Sequence, residues 1–301
     1  MKEKNLAINV TPKQKSDTKY SDTFIRALFQ DKKRAIELCN AVTGSNYAIH
    51  TEVMLCNLDH TLLKRYNDLA FAIDDQLLFM VEHQSTISPN LPLRFLSYLT
   101  DILYSWFVKV DELYGKKLCQ IPTPKLYVLY NGMEPLKEKT LKLSDAFHIK
   151  EDEPCLELEV EVIDVNYASG HEVLQRSESL KGYAYLIDQI RIYMGQGLVR
   201  DTAISMAIDR CIEQNVLSEF LQEHYLEVAK MLSWEYDQEA EFRIIRREAK
   251  EEGIEQGIEE GAEIKAIEIA RSLLKSGMTV NEVSKHSNLS VEIVKSLIIK
   301  F

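Results

Sequence analysis

The chain has 301 residues, 46% of them apolar and 28% charged, with a formal net charge of −11. No apolar run approaches the roughly 18 residues that cross a bilayer, and the first twenty residues lack the apolar stretch of a secretion signal, so a cytoplasmic protein with no membrane contact is expected. Charge alone argues against nucleic acid, but its distribution does not: residues 1–150 hold 20 Lys and Arg against 17 Asp and Glu, whereas 151–301 hold 16 against 30, so only the back half repels phosphate.

Residues 1–16 read as a loose polar arm. SDTFIRALFQDKKRAIELCNAVTG, residues 21–44, reads as a helix that starts at the cap-type pair Ser21 and Asp22, carries Phe24, Leu28, Ile36 and Cys39, and closes at Gly44. A short strand is expected within 50–56. The stretch YNDLAFAIDDQLLFMVEHQS, residues 66–85, then reads as a hairpin with strands at 69–73 and 77–84. SPNLPLRFLSYLTDILYSWFVKV reads as a helix with Pro92 in its first turn and Phe95, Leu96, Leu99, Leu103, Trp106 and Phe107 at helical spacing. Arg94, Tyr98 and Asp101 fall one turn apart, on the side away from those residues.

PKLYVLYNG reads as a strand ended by the turn signal Asn131-Gly132. CLELEVEVIDV alternates, with Leu156, Leu158, Val160 and Val162 inward and Glu157, Glu159 and Glu161 outward. Asp164 at its end reads as structural. From residue 171 on, the chain reads as nearly all helix. In EEGIEQGIEEG, glycines recur every fourth residue, a small-residue stripe that favours a partner helix, or else a frayed linker. The last 36 residues read as three short helices, with a capping box at Thr279 and Glu282 and a cap at Ser290. They suit a small bundle or a helix-turn-helix whose base or phosphate contacts would come from Lys285, His286, Lys295 and Lys300.

The chemistry-bearing feature is the hairpin. Asp68 opens one strand and Glu82 and Gln84 close the other. Side chains alternate faces along a strand, so Leu78, Met80, Glu82 and Gln84 share one face, and Leu77, Phe79, Val81 and His83 the other. Asp68 lies opposite Glu82 only if Asp74-Asp75-Gln76 form a three-residue loop. A two-residue loop at 74–75 pairs it with Val81 and turns it to the other face. Facing carboxylates about 5 Å apart repel unless protonated or bridged by a cation, and hard oxygen ligands suit Mg²⁺ or Mn²⁺. The bland alternative is two surface acids at strand ends. Nothing points to other chemistry. The five cysteines form no C-x-x-C pair, the seven histidines no H-E-x-x-H, and no glycine-rich loop for a nucleotide cofactor is present.

The blocks YSDTFIRALF, YNDLAFAI, FMVEHQST, LPLRFLSYL, LYVLYNG and VIDVNY, in that order, make the chain resemble the recombination-promoting nuclease and transposase-like family within the PD-(D/E)XK nuclease superfamily. The resemblance spans roughly 17–235, leaving 236–301 as a helical tail. It implies an α/β restriction-endonuclease-like core of αβββαβ order with a mixed sheet, and a Mg²⁺- or Mn²⁺-dependent endonuclease that hydrolyses DNA. It implies that Asp68 and Glu82 are metal ligands, with the backbone carbonyl of His83 as a third. Gln84 takes the catalytic position that is Lys in much of the superfamily; it can only orient by neutral hydrogen bonds, so weak activity is expected. Asp22 is an accessory acid or a helix cap. Arg94, with Tyr98 beside it, is a phosphate ligand or a solvent-facing residue. A double-strand cut requires two sites, hence a homodimer. The competing readings are a catalytically weak binding factor that acts through its acidic tail, and a helix-turn-helix regulator.

Overall fold

Why does the first helical segment not run unbroken to Gly44? Two side chains capable of capping sit within it. Thr23 Oγ1 accepts from Arg26 N and starts α1 (Phe24–Phe29), and Asp31 Oδ1 accepts from Arg34 N and starts α2 (Lys32–Thr43). Each oxygen satisfies a backbone donor that a continuous helix would have used, so the single expected helix is two. Gly44 ends α2 in the left-handed region, φ 72°. The computed structural model describes residues 23–56, 59–60, 65–66 and 68–298, so the expected polar arm, Asp22 and Lys300 lie outside the described residues.

The strands follow as β1 (Val53–Leu55), a separate two-stranded ribbon β2 (Asp59–His60) and β3 (Arg65–Tyr66), then β4 (Leu69–Ile73) and β5 (Leu77–Gln84). Helix α3 (Leu91–Ile102) leads through a wide π turn and the short α4 (Val110–Leu113) to β6 (Thr123–Tyr130), β7 (Thr140–Lys142) and β8 (Glu159–Asp164). The ribbon and β7 are too short to carry a readable alternation. The main sheet has the order β1-β4-β5-β6-β8-β7. β5, β6 and β8 run parallel, and the other pairings are antiparallel, so this is a six-stranded mixed sheet in an α/β architecture. β8 is shorter than the alternation suggested. Val160 and Val162 are buried and Glu159 and Glu161 exposed, but Leu156 lies before the strand and is 47% exposed.

Helices continue with α5 (Glu172–Arg176), α6 (Glu178–Gly195), α7 (Arg200–Glu213), α8 (Ser218–Glu223) and α9 (Tyr225–Lys275). β4 and the part of β5 before Glu82 are apolar because both faces are covered. Leu69, Phe71, Ile73, Phe79 and Val81 pack with α1, α2, α6 and α7. Ala70, Ala72, Leu78 and Met80 pack on the other face with Leu91, Phe95, Tyr98 and Ile102 of α3. Each fully buried Leu or Phe here contributes about 1.5–3 kcal/mol.

That second layer corrects the expected face of α3. The fully buried stripe is Leu91, Phe95, Tyr98 and Ile102; Leu96, Leu99, Leu103 and Phe107 of the expected stripe pack half-buried against the same core, and Trp106 is 49% exposed. Two faces of this helix carry apolar residues, and the helical period stops at Ile102. In the π turn Val108 N donates to Leu103 O, which rotates Trp106 away from the sheet.

The chain divides into two compact units between Tyr236 and Asp237. In the second unit α10 (Val280–Ser287) and α11 (Val291–Ile298) follow Gly277, whose φ is 89°. The Thr279–Glu282 capping box forms, and Ser290 Oγ accepts from Ile293 N. Val283, Leu289, Val294, Leu297 and Ala270 make a small core, in which the first of the three expected short helices is instead the end of the 51-residue α9. A Cβ at Gly257 or Gly261 would meet nothing within 4 Å, and Ile254, Ile258 and Ile264 are exposed. The partner expected for the glycine stripe is not found among the described residues. No described helix is long and apolar enough to cross a membrane.

Candidate active site

The hairpin adopts the odd loop. Leu69 pairs with Val81 and Ile73 with Leu77, leaving Asp74, Asp75 and Gln76 as the turn, with Gln76 N donating to Ile73 O at 3.0 Å. Asp74 and Asp75 both take left-handed conformations, φ 48° and 53°. Asp tolerates that region better than most residues. Asp74 also ties the turn to the segment before β1. Its Oδ1 accepts from Glu52 N at 3.2 Å, and its own N–H donates to Glu52 O at 3.1 Å. Asp75→Val should therefore lower the unfolding free energy by about 1–2 kcal/mol in urea titrations, and Asp75→Gly should not.

One step beyond Leu69 and Val81, Asp68 comes level with Glu82 on the α3 side of the sheet. Asp68 Oδ2 accepts from His83 N at 2.7 Å, which fixes the carboxylate against β5. Glu82 is 2% exposed. Its Oε2 accepts from Arg94 Nη2 at 2.7 Å and from Gln84 Nε2 at 3.2 Å. Its Oε1 is buried with no hydrogen-bond partner. Arg94 Nε reaches Tyr98 OH at 3.3 Å, and the guanidinium lies 5.9 Å from the Tyr98 ring centroid. Arg94 and Tyr98 therefore turn toward the sheet, not away from it as their spacing suggested, because α3 docks through Phe95 and Tyr98. Gln84 spends its amide on Glu82.

Burial, then the charge of Asp68, pushes the Glu82 carboxyl up to about 8, with Arg94 and the Gln84 bond pulling the other way. Burial likewise raises Asp68, against the His83 N–H bond and the charges of Arg94 and Arg26. Arg26, on α1, was not singled out from the sequence. Its place in a helical pattern gave no sign that it faces an acid. Glu82 thus sits in a water-poor place beside Asp68, whose charge disfavours its own.

The ring of His83 points to the opposite face. Its Nε2 is 2.7 Å from Tyr183 OH, which accepts from Asn131 Nδ2 at 2.8 Å. Burial and then Arg191 hold the His83 pKa down to about 4, with the Asn131 side chain opposing them. Arg191 bonds the Asn131 carbonyl and Asn166 Oδ1. Asp164 Oδ1 accepts from Asn166 N at 2.9 Å and shapes the turn after β8. A Cβ at Gly132 would overlap the Ser85 carbonyl, so glycine lets the exits of β5 and β6 run close. Asn131, Tyr183 and Arg191 were missed because they meet His83 only across the sheet.

Among the described residues, no group of three or more His, Cys, Asp or Glu side chains could hold a metal. Asp68 and Glu82 are a pair, and any further ligand must be a carbonyl such as that of His83, a water or a substrate oxygen. The thiols of Cys39, Cys56 and Cys211 are pushed up by burial to about 11, 11 and 12, which removes them as nucleophiles. A cavity of about 480 Å³ bordered by Tyr167, Tyr185, Gln214 and Leu217 shares no residue with the Asp68–Glu82 site.

No protein-family model, no curated protein and no solved structure matches this chain.

Proposed function

We propose that the chain is a metal-dependent DNA endonuclease of PD-(D/E)XK type, with a restriction-endonuclease-like core, related to the recombination-promoting nuclease and transposase-like family. The observation that carries this reading is the Asp68–Glu82 pair, with Glu82 buried, both carboxyls raised and Glu82 Oε1 without a partner. An acid pair of this kind calls for a cation. The element order supports it too: α1 and α2, then β1, β4 and β5, then α3, then β6.

The donor set fits a hard divalent ion. Asp68 and Glu82 would hold Mg²⁺ or Mn²⁺, with the His83 carbonyl, waters and a phosphodiester oxygen completing the shell. Such an ion polarises the phosphoryl oxygen and acidifies a bound water. The chain's own residues supply the geometry. His83 N orients Asp68, and Gln84 Nε2 orients Glu82. A water attacks phosphorus and gives up a proton to solvent, the phosphorus–oxygen bond to one sugar breaks, and the departing sugar oxygen takes a proton from solvent to become a hydroxyl. Gln84 offers no cation to the transition state, so turnover is slow. DNA is the proposed partner. A monomer would nick, and a homodimer would cut both strands.

Purified protein is expected to relax supercoiled plasmid with Mg²⁺ or Mn²⁺ and to lose that activity in EDTA. Metal-independent or absent nicking would sink the reading. It would favour instead a binding factor, a role that suits the saturation of Glu82 Oε2 by Arg94 and Gln84.

A further inference from the structure

The ion pair between Arg94 and Glu82 raises a conflict. Resting on the endonuclease reading above, the site needs a divalent ion beside Glu82, yet Arg94 Nη2 already stands 2.7 Å from Glu82 Oε2. The two partners are not equally fixed. Glu82 is on a central strand and its side chain is 2% exposed; the side chain of Arg94 is 39% exposed, on the first turns of α3. Only the arginine has room to leave, and it has somewhere to rest, since Tyr98 supplies both a hydroxyl to Nε and a ring face.

The grip is also incomplete. An arginine fork can take both oxygens of a carboxylate. Here it takes Oε2 and leaves Oε1 buried and without a partner. A single-pronged pair holds Glu82 in place without saturating it.

We propose that Arg94 is an internal counter-cation: it neutralises Glu82 until a divalent ion displaces it, and the released guanidinium then receives the phosphodiester of the DNA. Charge makes the two events one. Once a divalent ion balances the two carboxylates, Arg94 carries an unmatched positive charge, and a phosphodiester brings the single negative charge that matches it. Metal and DNA then bind with positive coupling, each raising the other's affinity by the same factor. Arg94 is a positioning residue for the ion and a binding residue for the substrate.

The test uses the full-length chain, with Mn²⁺ binding measured by calorimetry or by loss of the free-ion EPR signal. Arg94→Gln is expected to tighten Mn²⁺ by roughly tenfold, the middle of the usual range for such couplings. Arg94→Lys keeps the charge and should stay within about threefold of the parent. A fluorescent duplex, titrated with and without Ca²⁺, should show a metal-dependent gain in affinity for the parent that Arg94→Gln loses. Should Arg94→Gln not fold, Arg94→Met keeps the apolar stem and removes the same charge. Mn²⁺ binding that is equal or weaker in Arg94→Gln and Arg94→Met, while Glu82→Gln loses the ion, overturns the counter-cation role and leaves the endonuclease reading standing. Mn²⁺ binding unaffected by Glu82→Gln means that the ion does not bind at this pair, and overturns both.

Discussion

Glu82→Ala and Asp68→Ala should each lower metal-dependent plasmid nicking by roughly 10²–10³-fold. A positioned metal supplies several kcal/mol of transition-state stabilisation, and about 1.4 kcal/mol is tenfold in rate. Each variant removes half of the acid pair, and among the described residues no group of three or more metal-ligating side chains stands in for it. Neither should unfold the protein. The fold already disfavours the charged form of Glu82, and Arg94, half open to solvent, can turn to water when its partner is gone. Far-UV circular dichroism and the melting temperature should therefore stay close to those of the parent. Nicking that survives either substitution places the chemistry elsewhere. Loss of nicking together with loss of fold would make these side chains structural.

The second large effect is on stability against pH, and it reverses with metal. Glu82 has a folded value of about 8, above the ordinary carboxyl value of 4.5. The fold therefore favours its protonated form: the stabilising contribution is complete below about pH 4.5 and is lost as pH rises through about 8. His83 acts at the other end. Its folded value of about 4 lies below the ordinary 6.5, so its contribution is complete above about 6.5 and is lost as pH falls through about 4. The metal-free chain should be most stable near pH 6 and lose on the order of a few kcal/mol by pH 9. Mg²⁺ binds the ionised carboxylates and should restore most of the alkaline loss. Glu82→Gln should flatten the alkaline side and abolish the Mg²⁺ effect. Both tryptophans, Trp106 and Trp234, lie in the first unit, so fluorescence during urea unfolding reports on the unit that holds the site. An alkaline stability that ignores Mg²⁺ would refute the pair as a cation site.

The hairpin and the faces of its strands could be read before any coordinates, and its register narrowed to two choices, of which the structure takes the odd loop. A period of two set the faces, and only an odd loop put Asp68 opposite Glu82; two adjacent aspartates able to accept positive φ made that loop feasible. The capping box at Thr279 and the stop at Gly277 were equally legible, because a cap acts over three or four residues and its partners are neighbours in the chain. These features share one physical basis: they are decided by contacts close in sequence.

What remained hidden depends on contacts that are distant. The break between α1 and α2 required knowing that Asp31 would cap and not ride along a longer helix. The direction of Arg94 required knowing which of the two apolar faces of α3 would meet the sheet, a choice made by packing against Ala70, Leu78 and Met80. Tyr183 meets His83 across 100 residues of chain and Asn131 meets Tyr183 across 52, with no local pattern to announce them. By itself the sequence determined which side chains share a face and where the acids stand along each strand, since alternation and turn geometry are local. The tertiary structure alone decided that Glu82 is buried beside Asp68, which cation leans on it and which of its oxygens is left without a partner, since burial and charge pairing are set by elements that meet only when the sheet and its helices close.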